Sequence, residues 1–354
     1  MINVAFFCYN IDDSGGLERV LSLIANELSL KKNIKVTIIS IYRKDSTFFS
    51  LHANINVVYI KCKSNYFSMI KQTRNILNIL EIDRLVIVDT LLSLICIPSC
   101  IGLNIKTFGW EHYSFYSNLI SKKRLVARLL SILSLDNIIV LTERDAQSWS
   151  KLSFNESKII TIDNPAPFII KEETDKKNCN YALAIGRLRY EKGFDLLIQA
   201  WSMAKEKLPK SAKLIIVGEG EKKLELEEQI KSLNMTDCIA IKDFTKDIEK
   251  YYSNAKIYCL TSRTEALPMV LIEALCFSTP LLAFDCYTGP REIIENGYNG
   301  FIVEENNIEL YAQYIVKLFT LNSNDFSNVS HNAYLSSKKY SMKNIISKWL
   351  YILE

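Results

Sequence analysis

The feature that most constrains this chain is an alternation of short apolar, β-rich runs with helical patterns, restarted once near its middle. The first-half runs are Asn3–Cys8, Lys35–Ser40, Val57–Ile60, Leu85–Val88, Lys106–Gly109 and Asn137–Leu141. The second-half runs are Ala182–Gly186, Lys213–Val217, Ile239–Ile241, Lys256–Leu260, Leu281–Phe284 and Gly300–Val303. They are apolar throughout rather than alternating, the pattern of strands covered on both faces in a parallel sheet. Helical stretches such as Leu17–Leu28, Phe194–Lys205 and Lys222–Leu233 supply the crossovers. The restart falls at Asn164-Pro165-Ala166-Pro167 and the charged stretch Lys171–Asn180. The expectation is therefore an α/β chain of two doubly wound parallel-sheet domains facing each other, at 1–165 and 181–335, with a linker at 166–180. A C-terminal helix at 336–354 is expected to pack back on the first domain. Its segment Ser341–Leu353 is amphipathic, with Ile345, Ile346, Trp349 and Ile352 near one face. In such sheets ligands bind beyond the carboxyl ends of the strands, and two facing domains would put that edge in a cleft.

The 354 residues suffice for two ordinary domains, and 49% apolar with 23% charged residues is a globular composition. The longest apolar stretch, Leu85–Leu103, is interrupted by Asp89 and Pro98. It reads as a strand and a core helix rather than a membrane span. No secretory leader is expected, because Asn3–Cys8 is short and no basic region precedes it. The nine cysteines include no C-x-x-C pair, so reduced core thiols and a cytoplasmic protein are expected. Three dispersed histidines offer no ligand cluster, so neither metal nor cofactor is expected. Residues 1–165 carry 19 Lys/Arg against 14 Asp/Glu, a net +5, while the remainder carries 24 against 25, a net −1. The excess clusters in Lys61–Arg74 and Lys122–Arg128. These read as solvated helix faces, or as attraction to an anionic membrane or a lipid-pyrophosphate acceptor. No nucleic-acid motif accompanies them.

Several motifs follow strands. Gly186-Arg187-Leu188-Arg189-Tyr190-Glu191-Lys192-Gly193 opens a helix at Phe194, and Arg187 and Lys192 at a sheet edge suit a diphosphate; a solvated turn is the alternative. Val217-Gly218-Glu219-Gly220 ends another strand, a weak signal alone. In Glu265-Ala266-Leu267-Pro268 and the helix from Met269, Glu265 sits in the loop and Glu273 inside an otherwise apolar helix. A carboxylate there needs a partner, either ribose hydroxyls or a Lys or Arg. Glu292 after Gly289-Pro290 reads as a binding group or a helix cap. In the first half, Gly15-Gly16 opens a helix and suits an anion or sugar oxygen, or is a plain helix entry. Trp110-Glu111-His112 follows a strand; His112 reads as a hydrogen-bonding or acid/base group, or as structural. Glu111 is expected to orient it or to recognise acceptor.

With these motifs the second half resembles the donor domain of the retaining family-four glycosyltransferases, the sucrose-synthase and mannosyltransferase-like group. The resemblance rests on Gly186-Arg187-Leu188 with Glu191-Lys192-Gly193, on Val217-Gly218-Glu219-Gly220 and on the E-x7-E pair Glu265/Glu273. Pro280, Glu292, Gly297 and Gly300 also fall where that family has counterparts. It is sharp from Ala182 to Val303 and looser before, through Gly15-Gly16 and the Trp110–His112 segment. It implies two Rossmann-like domains, the glycosyltransferase B architecture. It implies that Arg187 and Lys192 hold a donor diphosphate and stabilise the leaving charge, Glu273 the ribose, and Glu265 the transferred sugar. Gly186, Gly218 and the backbone of Ala266, Leu267 and Pro268 complete the donor site. Gly15 and Gly16 line the donor from the other domain, and His112 lies near the sugar. The resemblance further implies a UDP-linked hexose or N-acetylhexosamine, moved with retention to a saccharide acceptor. A lipid-linked intermediate of O-antigen or capsule synthesis, met at the cytoplasmic face of a membrane, fits the basic first domain. A nucleotide-sugar epimerase of the same architecture and a non-catalytic sensor are the alternatives; the Glu265/Glu273 pair and the intact Arg187 and Lys192 argue against them. The sequence departs from the family at Phe277-Ser278, where a glycine is common, leaving the local helix exit open.

Overall fold

The computed structural model describes residues 1–354 except 45, 62–64, 117–120, 154, 156–157, 171–172, 174–175, 177–178 and 246. Much of the linker expected at 166–180, and residues 62–64 of the first basic cluster, lie outside the described residues. The chain forms two compact units, residues 1–167 with 342–354, and residues 168–341.

The first unit runs β1 (Ile2–Cys8), α1 (Gly16–Ser29), β2 (Ile34–Ser40), β3 (Asn56–Tyr59), α2 (Tyr66–Ile79), β4 (Arg84–Val88), α3 (Ser93–Cys100), β5 (Lys106–Trp110), α4 (Lys122–Ser134), β6 (Asn137–Val140), α5 (Glu143–Ser150) and β7 (Ile159–Thr161). The second runs β8 (Tyr181–Ile185), α6 (Phe194–Ala204), β9 (Lys213–Val217), α7 (Lys223–Ser232), β10 (Ile239–Lys242), α8 (Glu249–Asn254), β11 (Ala255–Leu260), α9 (Met269–Cys276), β12 (Leu281–Phe284), α10 (Pro290–Ile293), β13 (Gly300–Val303), α11 (Ile308–Thr320) and α12 (Ser323–Ser337). Helix α13 (Met342–Leu353) belongs to the first unit.

Both sheets are wholly parallel, seven strands ordered β3-β2-β1-β4-β5-β6-β7 and six ordered β10-β9-β8-β11-β12-β13. This is the doubly wound fold that the apolar runs predict. Strand order reverses between β1 and β4 in the first unit and between β8 and β11 in the second. Loops leaving neighbouring strands diverge at such a point and leave a crevice at the carboxyl edge. In the second unit it lies beside the loops opening at Gly186 and Thr261; in the first, beside those opening at Tyr9 and Asp89.

Strand β7 has no counterpart among the sequence expectations. Its three residues are too few to display a period, and pairing with β6 defines it. Helix α13 buries Ile345, Ile346, Trp349, Ile352 and Leu353. Trp349 meets Trp110 edge-on at 4.7 Å and Phe6 at 6.0 Å. Its last carbonyls accept from cations: Arg84 Nε bonds Leu353 O at 2.9 Å, and Lys106 Nζ bonds Ile352 O at 3.2 Å. Cations suit a helix C-terminus because its carbonyls lack intrahelical donors. The exit of α9 is made with Ser278 in the left-handed region, φ 56°, so serine here adopts the backbone that glycine reaches without strain. Ser330 Oγ donates to its carbonyl at 2.6 Å. Eight cysteines are free thiols, and Cys62 lies outside the described residues.

Candidate active site

In the second unit the loops after β8 and β11 meet at the switch point. The β8 loop ends in a 3-10 turn, Tyr190–Lys192, which feeds α6. Arg263 fastens the two loops: its N–H donates to Glu191 O at 2.8 Å and its guanidinium grips Asp195 at 2.9 and 2.6 Å. The same guanidinium bonds Tyr190 O at 2.6 Å and lies 4.0 Å from the Tyr190 ring centroid. With the loops fixed, Lys192 Nζ reaches Glu265 Oε1 at 2.8 Å. Ser262 Oγ donates to the same oxygen at 2.7 Å. Among the described residues Glu265 Oε2 has no hydrogen bond, so it can still accept from hydroxyls. Thr288 Oγ1 donates to Glu265 O at 2.6 Å, fixing the turn. Helix α9 starts directly after Pro268. Neither the Ala266 nor the Leu267 N–H has a partner among the described residues, although Leu267 is buried. Two N–H groups without partners among the described residues, beside a lysine, are able to receive an anion.

Arg187 is exposed and forms no ion pair among the described residues. Glu273, one turn into α9, is buried, and Tyr252 Oη donates to its Oε2 at 2.6 Å. Tyr252 is itself held by stacking on Phe277 with centroids 5.6 Å apart. The glycines divide. A Cβ on Gly218 would stand 1.9 Å from Gly186 O, so packing of the β9 loop on the β8 loop demands glycine there. A Cβ on Gly16 would meet nothing within 4 Å among the described residues, and Gly15, the N-cap of α1, has ordinary φ −79°. Nothing within the first unit requires glycine at 16, where α1 presents uncapped first-turn N–H groups.

The carboxyl edge of β4 and β5 in the first unit carries a buried charge cluster. Arg124 grips both oxygens of Asp89 at 3.0 Å and approaches Glu111 Oε1 at 3.5 Å. Arg128 Nε lies 3.8 Å from Glu111 Oε2, and its amino groups donate to Phe115 O and Ser114 O. Thr90 Oγ1 and the Tyr113 N–H also donate to Glu111. Reading Lys122–Arg128 as a solvated basic face is therefore corrected: Arg124 and Arg128 are buried and paired inside the unit. Glu111 makes no hydrogen bond to His112 among the described residues; it ties its own loop to α4. Burial, with Asp89 alongside, pushes the Glu111 carboxyl up to about 7 against the opposing arginines. His112 packs on Trp110 at 4.3 Å between ring centroids, and its Nε2 is covered without a partner among the described residues. Burial pushes its imidazole down to about 3.

The family model for glycosyl transferases group 1 matches residues 166–336. An uncharacterized glycosyltransferase of Haemophilus influenzae is 35% identical over 358 residues, covering 100% of both chains. The chain belongs to the group 1 glycosyl transferases. A Campylobacter jejuni relative, named as an α-1,4-N-acetyl-D-galactosaminyltransferase acting on a diNAcBac-PP-undecaprenol-linked saccharide, is 26% identical over 100% of this chain and 98% of its own. The Anabaena HepE crystal structure in complex with UDP has a TM-score of 0.83 at 17% identity, covering 99% of each chain, and so shares the fold.

Within this group 1 transferase, sequence reasoning found Lys192, Glu265 and Glu273 but not the residues that hold them. Arg263 and Ser262 lie in the same segment as Glu265, yet nothing in their spacing names Asp195 or Lys192 as the other side. Thr288 and Tyr252 come from other loops. The His112 environment yields a measurable expectation. A folded-state pKa near 3 lies below the usual value near 6.5. Its contribution to stability is therefore present above about pH 6.5 and lost as pH falls towards 3. NMR of the imidazole Cε1–H should show His112 not titrating between pH 5 and 8. A His112 midpoint near 6.5 would contradict its burial.

Proposed function

We propose that the chain is a retaining glycosyltransferase that moves a hexosyl or N-acetylhexosaminyl group from a UDP-sugar to a saccharide acceptor, a lipid-linked intermediate of surface polysaccharide synthesis. The observation that carries the reading is the Lys192–Glu265 pair at the switch point, next to the unpartnered Ala266 and Leu267 N–H groups. A nucleoside diphosphate sugar needs an anion site and a hydroxyl acceptor side by side, and this arrangement supplies both. Lys192, with exposed Arg187, takes the charge that grows on the leaving diphosphate. Glu265 Oε2 accepts sugar hydroxyls and positions the anomeric carbon. Retention follows if the acceptor hydroxyl enters on the face the diphosphate leaves, with its proton passing to a diphosphate oxygen. No carboxylate is assigned as a nucleophile, because Glu265 is already engaged by Lys192 and Ser262. His112, neutral at working pH, serves as a hydrogen-bonding group. Gly15, Gly16 and Glu273 keep the sequence-based assignments of donor contact and ribose contact, and no metal or cofactor is invoked. A UDP donor is supported by the UDP named with the HepE structure, and a lipid-linked acceptor by the name of the Campylobacter relative.

The test is a screen of UDP-, GDP- and ADP-sugars for slow hydrolysis with chelator present, the released sugar's anomer read by NMR. The expected result is release from one UDP-sugar with its α configuration kept, abolished in Glu265→Ala. Release of the inverted anomer, or no use of any UDP-sugar, would overturn the proposal.

A further inference from the structure

Helix α4 is turned inside out. Arg124, Ala127, Arg128, Ser131 and Ile132 face the interior of the first unit. Leu125, Val126, Leu129 and Leu133 are exposed, at 44%, 55%, 45% and 67%. At about 100° per residue these four and Lys122 share one face. The rotation is fixed, because rolling the leucines inward would strip Arg124 and Arg128 of Asp89, Glu111 and the Ser114 and Phe115 carbonyls. Exposure of the leucines is thus built into the folded unit. Lys122 and Lys123 are exposed at the same end and have no ion pair among the described residues. The helix contains no acidic residue.

We propose that this face of α4 docks on an anionic lipid surface, its leucines entering the acyl boundary while Lys122 and Lys123 meet lipid phosphates. Taking each large aliphatic side chain out of water and bringing each basic residue to an anionic leaflet are favourable contributions that add. That sum holds a helix in the interface plane without crossing it, in keeping with the absence of any helix long and apolar enough to span a membrane among the described residues. A protein partner would cover the leucines as well. The unpaired lysines, with no anion on the helix, favour an anionic lipid. The inference stands on the first unit alone and does not need the donor assignment.

The experiment is sedimentation of the full chain with phosphatidylcholine vesicles, with and without phosphatidylglycerol. Binding is expected to require phosphatidylglycerol and to weaken with salt. Leu129→Glu with Leu133→Glu should lower partitioning at least about 10²-fold. Met203→Glu, exposed in the second unit, should leave it unchanged. Because every substituted side chain is exposed, circular dichroism and melting should match the intact protein. Donor hydrolysis is read separately, so failure of docking and failure of the transferase reading are distinguishable. Absence of vesicle binding, or undiminished binding by the double variant, would overturn the proposal. So would a concentration-dependent dimer lost in that variant without vesicle binding, which would assign the face to a second copy.

Discussion

Lys192→Ala is expected to lower transferase turnover about 10²–10³-fold, the loss found when a donor stabilising transition-state charge is removed. Its melting temperature should barely move, because a partly exposed ion pair contributes only about 0–1 kcal/mol, and Lys192 is 29% exposed. The drop should appear in kcat more than in KM, since charge on the leaving diphosphate develops in the transition state. Removing Glu265 as well should add less than its single effect, because Lys192 and Glu265 act as one unit. Steady-state kinetics on the two single variants and the double variant check this. Turnover of Lys192→Ala near that of the intact protein would remove the lysine from the reaction.

Arg128→Leu should destabilise the first unit by about 3–5 kcal/mol, the range for breaking one side of a buried ion pair. The loss should depend on pH. The Glu111 carboxyl titrates near 7 in the folded state, above its usual 4.5. The stability linked to this titration is present below about 4.5 and lost as pH rises through 7. At pH 5 Glu111 is protonated and tolerates loss of one cation; at pH 8 it is a buried anion left with Arg124 at 3.5 Å as its cation. Destabilisation by Arg128→Leu should therefore be larger at pH 8, and Glu111→Gln in the same background should recover part of it. Denaturant unfolding followed by tryptophan fluorescence measures this, with Trp110, Trp149 and Trp349 in the first unit and Trp201 in the second as an internal reference. A loss under about 0.5 kcal/mol at pH 8, the size of an ordinary surface change, would refute the buried-pair account.

The sheets were legible because their strands are apolar on both faces, so even short runs such as Leu281–Phe284 stand out. The Glu265/Glu273 spacing and the Gly186–Gly193 loop were legible because each follows a strand directly. The orientation of α4 was not. Its Lys-Lys-Arg-Leu-Val-Ala-Arg segment has a clear helical period, but the period alone does not say which face is inward. Asp89 and Glu111 decide it, arriving from the ends of other strands, and they draw the arginines in and leave the leucines out. In the same way Glu273 announced that it needed a partner, while Tyr252, on α8, became its neighbour only in the fold, stacked on Phe277 at the end of α9.

The most direct test of the account is calorimetric titration of UDP into the intact protein and into Glu265→Ala and Lys192→Ala, with chelator present. The account predicts saturable 1:1 binding to the intact protein, weakened at least about tenfold in Lys192→Ala by loss of the diphosphate contact. Glu265→Ala should change UDP affinity much less than it changes sugar transfer, since its free oxygen faces the sugar in the proposed arrangement. Equal UDP affinity in the intact protein and Lys192→Ala, or no binding to either, would contradict the assignment of the switch-point loops as the donor site.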